Sequence, residues 1–149
     1  MDEGEHVTPD SDSSPIARTK HGELTLDQIA ETLPGMARLM VEVSDRYWIL
    51  YYAGRAGNWE LARHEFSELR KTLRMAADVR PKYREPLEHF EAEYLKPIEE
   101  TVGAKDFGSL EKAFRRATDR ANENHRELGY AYIHWQLPDT PPQHLRLTE

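Results

Sequence analysis

Apolar residues recur every three or four positions along most of the chain after Thr25, and this spacing is typical of amphipathic helices. The clearest stripe predicts a long helix over residues 36–53. Its inward positions are Met36, Leu39, Met40, Val43, Tyr47, Leu50 and Tyr51. Before it, Thr25 and Gln28 form a capping-box signal for a short helix, which Pro34-Gly35 closes.

Three more helices are predicted downstream. Asn58 is the expected N-cap of the first of them, and Asp106 is the expected N-cap of the last. Between these two, a helix is predicted from Pro86, with a kink or break at Pro97 because proline has no N–H for the helical ladder. The predicted inward residues are Trp59, Ala62, Phe66, Leu69, Leu73, Ala76 and Ala77, then Leu87, Phe90, Tyr94, Ile98 and Val102, and finally Leu110, Phe114, Ala117, Ala121, His125 and Leu128. Four such helices with short links predict an all-α, up-down-up-down four-helix bundle.

The two ends of the chain lack this helical pattern. Residues 1–22 are acidic and contain a Ser/Pro run, so we expect a disordered tail there and one helical-bundle domain over residues 23–149. After Gly129 the chain is rich in proline and aromatic residues, and its polarity alternates. We interpret this part as an extended strap that packs along the bundle groove or on another subunit.

Composition narrows the function classes. The 149 residues include 27 acidic and 20 basic side chains, for a formal net charge of −7, and no cysteine. This balance argues against a nucleic-acid binder or a binder of anionic membranes, since both need excess Lys and Arg. The absence of cysteine excludes disulfides, thiolate zinc sites, cysteine nucleophiles and thioether-bound haem. With no signal peptide and no membrane span in the sequence, we expect a cytoplasmic protein.

The residue with the most chemical potential is His125, which falls on the apolar stripe of the last helix. A histidine at a bundle core can ligate a metal or haem iron, transfer protons, or hydrogen-bond a backbone carbonyl. Asn122, Glu123 and Asn124 add a polar cluster beside it, although no partner nucleophile is visible. Elsewhere, Glu-x-x-Glu pairs such as Glu65 and Glu68 leave a carboxylate-bridged metal centre open.

Three blocks between about Tyr47 and Pro138 carry a family resemblance. They are Tyr52–Ala62 with its continuation Glu65–Leu69, then Lys105-Asp106, Lys112–Phe114, Asn122 and His125 of the last helix, and then Ile133, Gln136 and Pro138 of the tail. Together they resemble small bacterial c-type-cytochrome-like helical proteins. Those proteins pair an aromatic-Ala-Gly…Asn-Trp-x-Leu-Ala segment with a last helix that ends in Cys-Asn-x-Cys-His. Here the second string is Ala121-Asn122-Glu123-Asn124-His125.

The resemblance implies a bundle that has lost covalent haem attachment. In that family, and in the cytochromes c′, the two cysteines bind the haem covalently and the histidine is its axial ligand. Ala121 and Asn124 occupy the cysteine positions in this chain, so only His125 remains as a candidate axial or metal ligand. Trp48 stands where such relatives are expected to have a second histidine, which argues against a bis-histidine site.

Three functions stay open from the sequence. The favoured one is a bundle without a cofactor that binds a small hydrophobic or planar molecule, a protein partner or a second copy of itself. The second is a non-covalent haem or metal protein, and the third is a small enzyme, or an accessory subunit of one, with a site centred on His125. The candidate binding residues are His125, Asn122, Tyr47, Tyr51, Trp59, Phe66 and Phe114, with Phe90 as a further wall residue. The same aromatic spacing also suits an ordinary core.

Overall fold

Capping side chains mark the starts of three helices in the computed structural model, which describes residues 17–148. The fold is mostly helical, as predicted, and contains one small two-stranded sheet in addition. The chain divides into two compact units, Met1–Pro34 and Gly35–Glu149. The sequence predicts a single helical-bundle domain over residues 23–149, and this boundary stays a prediction.

The described part of the first unit is a hairpin followed by a short helix. Strands β1 (Ala17–Thr19) and β2 (Gly22–Leu24) pair antiparallel, and helix α1 spans Leu26–Thr32. The predicted capping box is confirmed, since the Gln28 N–H donates to the Thr25 hydroxyl at 3.2 Å and the Thr25 N–H donates to the Gln28 side chain at 2.9 Å.

The predicted tail over residues 1–22 lies mainly outside the described residues, but positions 17–22 belong to the hairpin. Its turn depends on two local features. The Thr19 hydroxyl donates to the Gly22 carbonyl at 3.0 Å, and the His21 N–H donates to the same hydroxyl at 3.1 Å. Gly22 has a φ of 144°, a region that favours glycine. Turn chemistry of this kind forms a hairpin without a hydrophobic core, and a composition argument overlooks it.

The second unit contains the other helices. They are α2 (Met36–Arg55), α3 (Trp59–Val79), α4 (Arg84–Phe90), α5 (Lys96–Ala104) and α6 (Phe107–Glu127). Both predicted N-caps are confirmed, because the side chains of Asn58 and Asp106 each accept a backbone N–H at 3.1 Å, from Leu61 and Ser109. A 3₁₀ turn at Pro81–Tyr83 precedes α4, and a π-helical turn at Glu91–Leu95 joins α4 to α5.

The helix predicted from Pro86 therefore begins earlier and is irregular in its middle. Pro81 already fills the first-turn position of the 3₁₀ turn. Pro97 has no N–H for the Glu93 carbonyl four residues before it, and the turn that contains Glu93 is π-helical. Arg116 of α6 donates to this carbonyl through a long hydrogen bond of 3.5 Å. The irregularity expected at Pro97 thus takes the form of a wider helical turn just before it.

The core of the second unit is built by α2, α3, α6 and the segment from the π-helical turn through α5. Its largest fully buried side chains are Leu50, Leu69, Leu95, Ile98 and Leu110. A buried polar contact also joins α2 to α3, since Arg46 pairs with Glu65 at 3.1 Å and only 6% of Glu65 is exposed. No helix within residues 17–148 is long and apolar enough to cross a lipid bilayer.

Candidate ligand-binding site

A cavity of about 630 Å³ lies within the second unit. It is bordered by the first half of α2, by α4, by the end of α6 and by the C-terminal segment, which we define as residues 130–148. Most of its wall is apolar, including Met36, Met40, Val43, Leu73, Leu87 and Phe90. The C-terminal segment adds Ile133 and Trp135. A volume of this size falls in the range of roughly 300–1,000 Å³ that small-molecule sites occupy.

The C-terminal segment is bound to α6 through Asn122. The Asn122 side chain donates to the Trp135 carbonyl at 2.9 Å and accepts the Trp135 N–H at 2.6 Å. Only 5% of Asn122 is exposed. Because one amide satisfies both backbone groups of Trp135, Asn122 replaces the neighbouring strand that an extended segment would otherwise need. The structure therefore assigns Asn122 to positioning the cavity wall.

Side chains from α2 and from the start of α3 bind the rest of this segment. The Tyr52 hydroxyl donates to the Pro138 carbonyl at 2.7 Å, Trp48 Nε1 donates to the Thr140 carbonyl at 3.1 Å, and Asn58 Nδ2 donates to the Leu147 carbonyl at 3.1 Å. Each bond satisfies a backbone carbonyl of a segment that has no regular secondary structure. These contacts fix the segment from residue 138 to residue 147 against the helices.

His125 lies half-buried in the cavity wall. Its Nδ1 is 3.1 Å from the Ile133 carbonyl, and its ring meets the Trp135 ring edge-on with centroids 6.3 Å apart. Burial lowers the pKa of His125, and the nearby His134 acts in the same direction, while the hydrogen bond to Ile133 opposes them. The imidazole is therefore neutral at pH 7. When Nδ1–H donates to a carbonyl, the lone pair resides on Nε2, which can accept a hydrogen bond or bind a metal.

Two tyrosine hydroxyls supply a second polar feature of the wall. Tyr83, in the 3₁₀ turn before α4, and Tyr130, in the C-terminal segment, both line the cavity, and their hydroxyl oxygens lie 2.7 Å apart. Sequence reasoning missed this pair because its members are 47 positions apart. Neither tyrosine belongs to a predicted helical stripe. The nearest signal was the alternation of the tail, which groups Tyr130 with Tyr132 but identifies no partner.

Most of the aromatic residues predicted to wall a pocket pack in the core, and three of them also border cavities: Phe90 lines the larger cavity, and Tyr47 and Phe114 line a smaller one. Tyr47, Tyr51, Phe66 and Phe114 are all buried in the core. Tyr47 stacks on Phe114 with centroids 3.9 Å apart and donates its hydroxyl to the Phe114 carbonyl at 2.8 Å, and burial raises the pKa of Tyr47. Trp59 is half-buried against the same core. Tyr47 and Phe114 also border a second, smaller cavity of about 200 Å³ beside Trp135.

The carboxylates that the sequence suggested for catalysis or metal binding form ion pairs with basic side chains. Glu123 accepts a hydrogen bond from Arg120 at 3.1 Å on the exposed side of α6. Glu65 pairs with Arg46, and Glu68 pairs with Lys71. Across the part of the chain that the structure describes, no group of three or more His, Asp or Glu side chains is placed to hold a metal ion.

A haem group fits this cavity only in part. The neutral imidazole of His125 is a suitable axial ligand, and Ala121 also lies in the wall, at one of the two cysteine positions of the resemblance. Haem also carries two propionates. The described wall contains no Lys or Arg of its own and includes the carboxylate of Asp45, and the one Lys82 ammonium beside Tyr83 is not enough for two propionates. Burying carboxylates without a partner is costly, so the wall suits a ligand with less negative charge better than haem.

Comparison with known proteins adds no information about this cavity. Searches among protein-family models, curated proteins and solved structures found no match to this chain. The likeness to c-type-cytochrome-like proteins depends on the sequence blocks between Tyr47 and Pro138 and stays a prediction.

Proposed function

We propose that this protein binds a small, largely apolar molecule in the 630 Å³ cavity. The observation that carries the proposal is the wall itself, in which apolar side chains dominate and a few polar groups are spaced among them. Apolar walls supply affinity through surface removed from water, at about 25 cal/mol per Å². The polar groups, chiefly His125 and the hydroxyls of Tyr83 and Tyr130, fix the orientation of the ligand.

We also propose that α2, α3, the α4–α5 segment and α6 run up-down-up-down, and that the C-terminal segment is a strap over the cavity. Two contacts support the first point. Arg46 pairs with Glu65, and one turn earlier in α2 Glu42 accepts from Thr72, which lies further along α3. Contacts whose residue numbers rise in one helix as they fall in the other are typical of antiparallel neighbours. The hydrogen bonds of Asn122 and Tyr52 to backbone atoms support the strap.

Filling the cavity is expected to weaken binding of a neutral apolar dye. Met40 lines the cavity, and Met75 in α3 is 41% exposed and does not. Titration with N-phenyl-1-naphthylamine, which fluoresces in apolar surroundings, should show saturable one-to-one binding. Met40→Trp should weaken that binding at least about tenfold, because the larger side chain occupies ligand volume. The same substitution at the control position, Met75→Trp, should leave it unchanged.

Two outcomes would contradict this proposal. One is the absence of saturable dye binding by the folded protein, and the other is equal weakening by both tryptophan variants. Several side chains at the cavity also suit a protein partner, since Val41 is 64% and Tyr132 is 80% exposed. If a second copy of the chain covers the cavity, dye binding will weaken as the protein concentration rises.

A non-covalent haem protein is the second candidate, favoured by the half-buried His125 whose Nδ1 is fixed by Ile133. Because the described wall contains no Lys or Arg and the Lys82 ammonium beside Tyr83 can pair with only one of the two propionates, we expect hemin to give no saturable Soret shift that depends on His125. Absorbance titration of the purified protein measures this directly. A shift that saturates at one equivalent, disappears in His125→Ala and persists in the exposed-site control His144→Ala would establish the haem function instead.

A further inference from the structure

The tyrosine pair carries an unused hydrogen-bond donor. The hydroxyl oxygens of Tyr83 and Tyr130 are 2.7 Å apart, and either group can donate to the other. Two hydroxyls bring two protons, but their mutual contact uses only one of them. Whichever tyrosine donates within the pair, the other keeps a proton for a third group. Because both residues line the cavity, a ligand oxygen is a suitable acceptor for that proton.

A positive charge stands beside this donor. The Lys82 ammonium is 4.8 Å from the centre of the Tyr83 ring. The hydrogen bond with Tyr130 lowers the pKa of Tyr83, burial opposes this, and Lys82 lowers the pKa further. The same hydrogen bond raises the pKa of Tyr130, so Tyr83 is the stronger donor of the two. A neighbouring cation favours an acceptor that is itself negatively charged. The pair is therefore better suited to a carboxylate than to a neutral carbonyl or an amine.

The cavity continues from this polar point along an apolar surface. Pro86, Leu87 and Phe90 follow Tyr83 in the chain, and all three line the cavity. Asp45 supplies the one carboxylate in the described wall and disfavours a second negative charge near it. A ligand that matches this distribution has one negative head and an apolar body.

We propose that the ligand is an amphipathic monocarboxylate. Its carboxylate accepts the spare hydroxyl proton of the Tyr83–Tyr130 pair, with the Lys82 ammonium nearby, and its apolar part lies against Leu87 and Phe90. This inference rests on the proposed small-molecule function of the cavity. It adds a head-group preference, which can be tested separately.

Three probes of equal chain length separate the head group from the apolar body. Decanoate, decanol and decylamine are each used at pH 8 to displace N-phenyl-1-naphthylamine from the protein. Decanoate should displace the dye at a concentration about tenfold lower than decanol, since hydrogen bonds to charged groups are roughly twice as strong as neutral ones. Decylamine should be the weakest of the three because its ammonium meets Lys82.

Side-chain variants test which residues produce the preference for decanoate over decanol. The double variant Tyr83→Phe/Tyr130→Phe keeps both rings and removes both hydroxyls, because either hydroxyl alone still carries a proton for the ligand, and Lys82→Gln removes an exposed charge without disturbing buried structure. Each should reduce the preference for decanoate over decanol to about threefold or less. The matched control is Tyr132→Phe, because Tyr132 is 80% exposed at the same cavity and should keep the full preference.

The outcomes distinguish this inference from the function on which it rests. If the dye binds and decanoate and decanol displace it equally, the monocarboxylate inference is wrong while the cavity function stands. A preference for decanoate that survives both the Tyr83→Phe/Tyr130→Phe double variant and Lys82→Gln overturns the assignment to the tyrosine pair. If neither the dye nor any of the probes binds the folded protein, both proposals fail.

Discussion

Asn122→Ala is expected to lower the free energy of unfolding by about 2–4 kcal/mol. The substitution removes two hydrogen bonds to the backbone of Trp135, and it does so at a side chain that is only 5% exposed. Each lost bond contributes about 1 kcal/mol, and the stranded N–H and carbonyl of Trp135 add a desolvation cost wherever water cannot reach them. Urea unfolding followed by circular dichroism measures the loss.

Asn124→Ala is the matched control for this experiment. Both residues lie in α6, so both substitutions gain the same intrinsic preference of alanine for the helix. Asn124 is half-buried and is not the residue that binds Trp135. Its replacement should change stability by less than about 0.5 kcal/mol. Equal effects of the two substitutions would show that Asn122 does not hold the C-terminal segment in solution.

Gly54→Ala is expected to destabilise the protein by about 1–3 kcal/mol. Gly54 lies in α2, where alanine would ordinarily be preferred. A methyl group there would lie 2.5 Å from Leu110 Cδ2 and 3.4 Å from the Trp59 ring. Leu110 is fully buried, so it has little room to move away. Thermal or urea unfolding of the variant measures the cost of this overpacking.

Gly103→Ala supplies the opposite result in the same assay. Gly103 lies in α5, and a methyl group there meets no atom within 4 Å. The substitution Gly103→Ala should stabilise the protein by up to about 1 kcal/mol, because alanine loses less backbone entropy than glycine when a helix forms. In a double-mutant cycle, Leu110→Val should relieve part of the cost of Gly54→Ala, since the clashing atom is absent. A stabilising Gly54→Ala would show that α2 and α6 are loosely packed here.

Local signals in the sequence predicted the starts of α1, α3 and α6 accurately, whereas the helix predicted from Pro86 begins earlier. The capping side chains Thr25, Asn58 and Asp106 each bind a backbone N–H three positions further along the chain, so a short stretch of sequence determines them. The apolar stripes predicted most buried positions for the same reason. His125 also lies on such a stripe, and its place in the cavity wall follows from that position.

Features that depend on how the helices pack against one another could not be predicted from the sequence. Periodicity placed Tyr47 and Phe114 on inward faces, but an inward face does not distinguish a filled core from an open cavity. Both belong to the packed core, and both also border the smaller cavity. The contact between Tyr83 and Tyr130 depends on where the chain passes after α6, which no local pattern encodes. Asn122 was singled out as a ligand contact, yet its amide is occupied by Trp135 because the C-terminal segment folds back on α6.

The π-helical turn at Glu91–Leu95 lies between α4 and α5, and its wider turn changes the direction in which the side chains of α5 point relative to those of α4. From Phe90 the next core position is Leu95, a step of five residues, after which Ile98 and Val102 follow at ordinary helical steps. The wider turn thus decouples the α4 face that borders the cavity from the α5 face that fills the core. Phe90 serves both the cavity wall and the core, but Leu87 lines the cavity one turn earlier, so a substitution at Leu87 can reshape the cavity while the alignment of Ile98 and Val102 is kept.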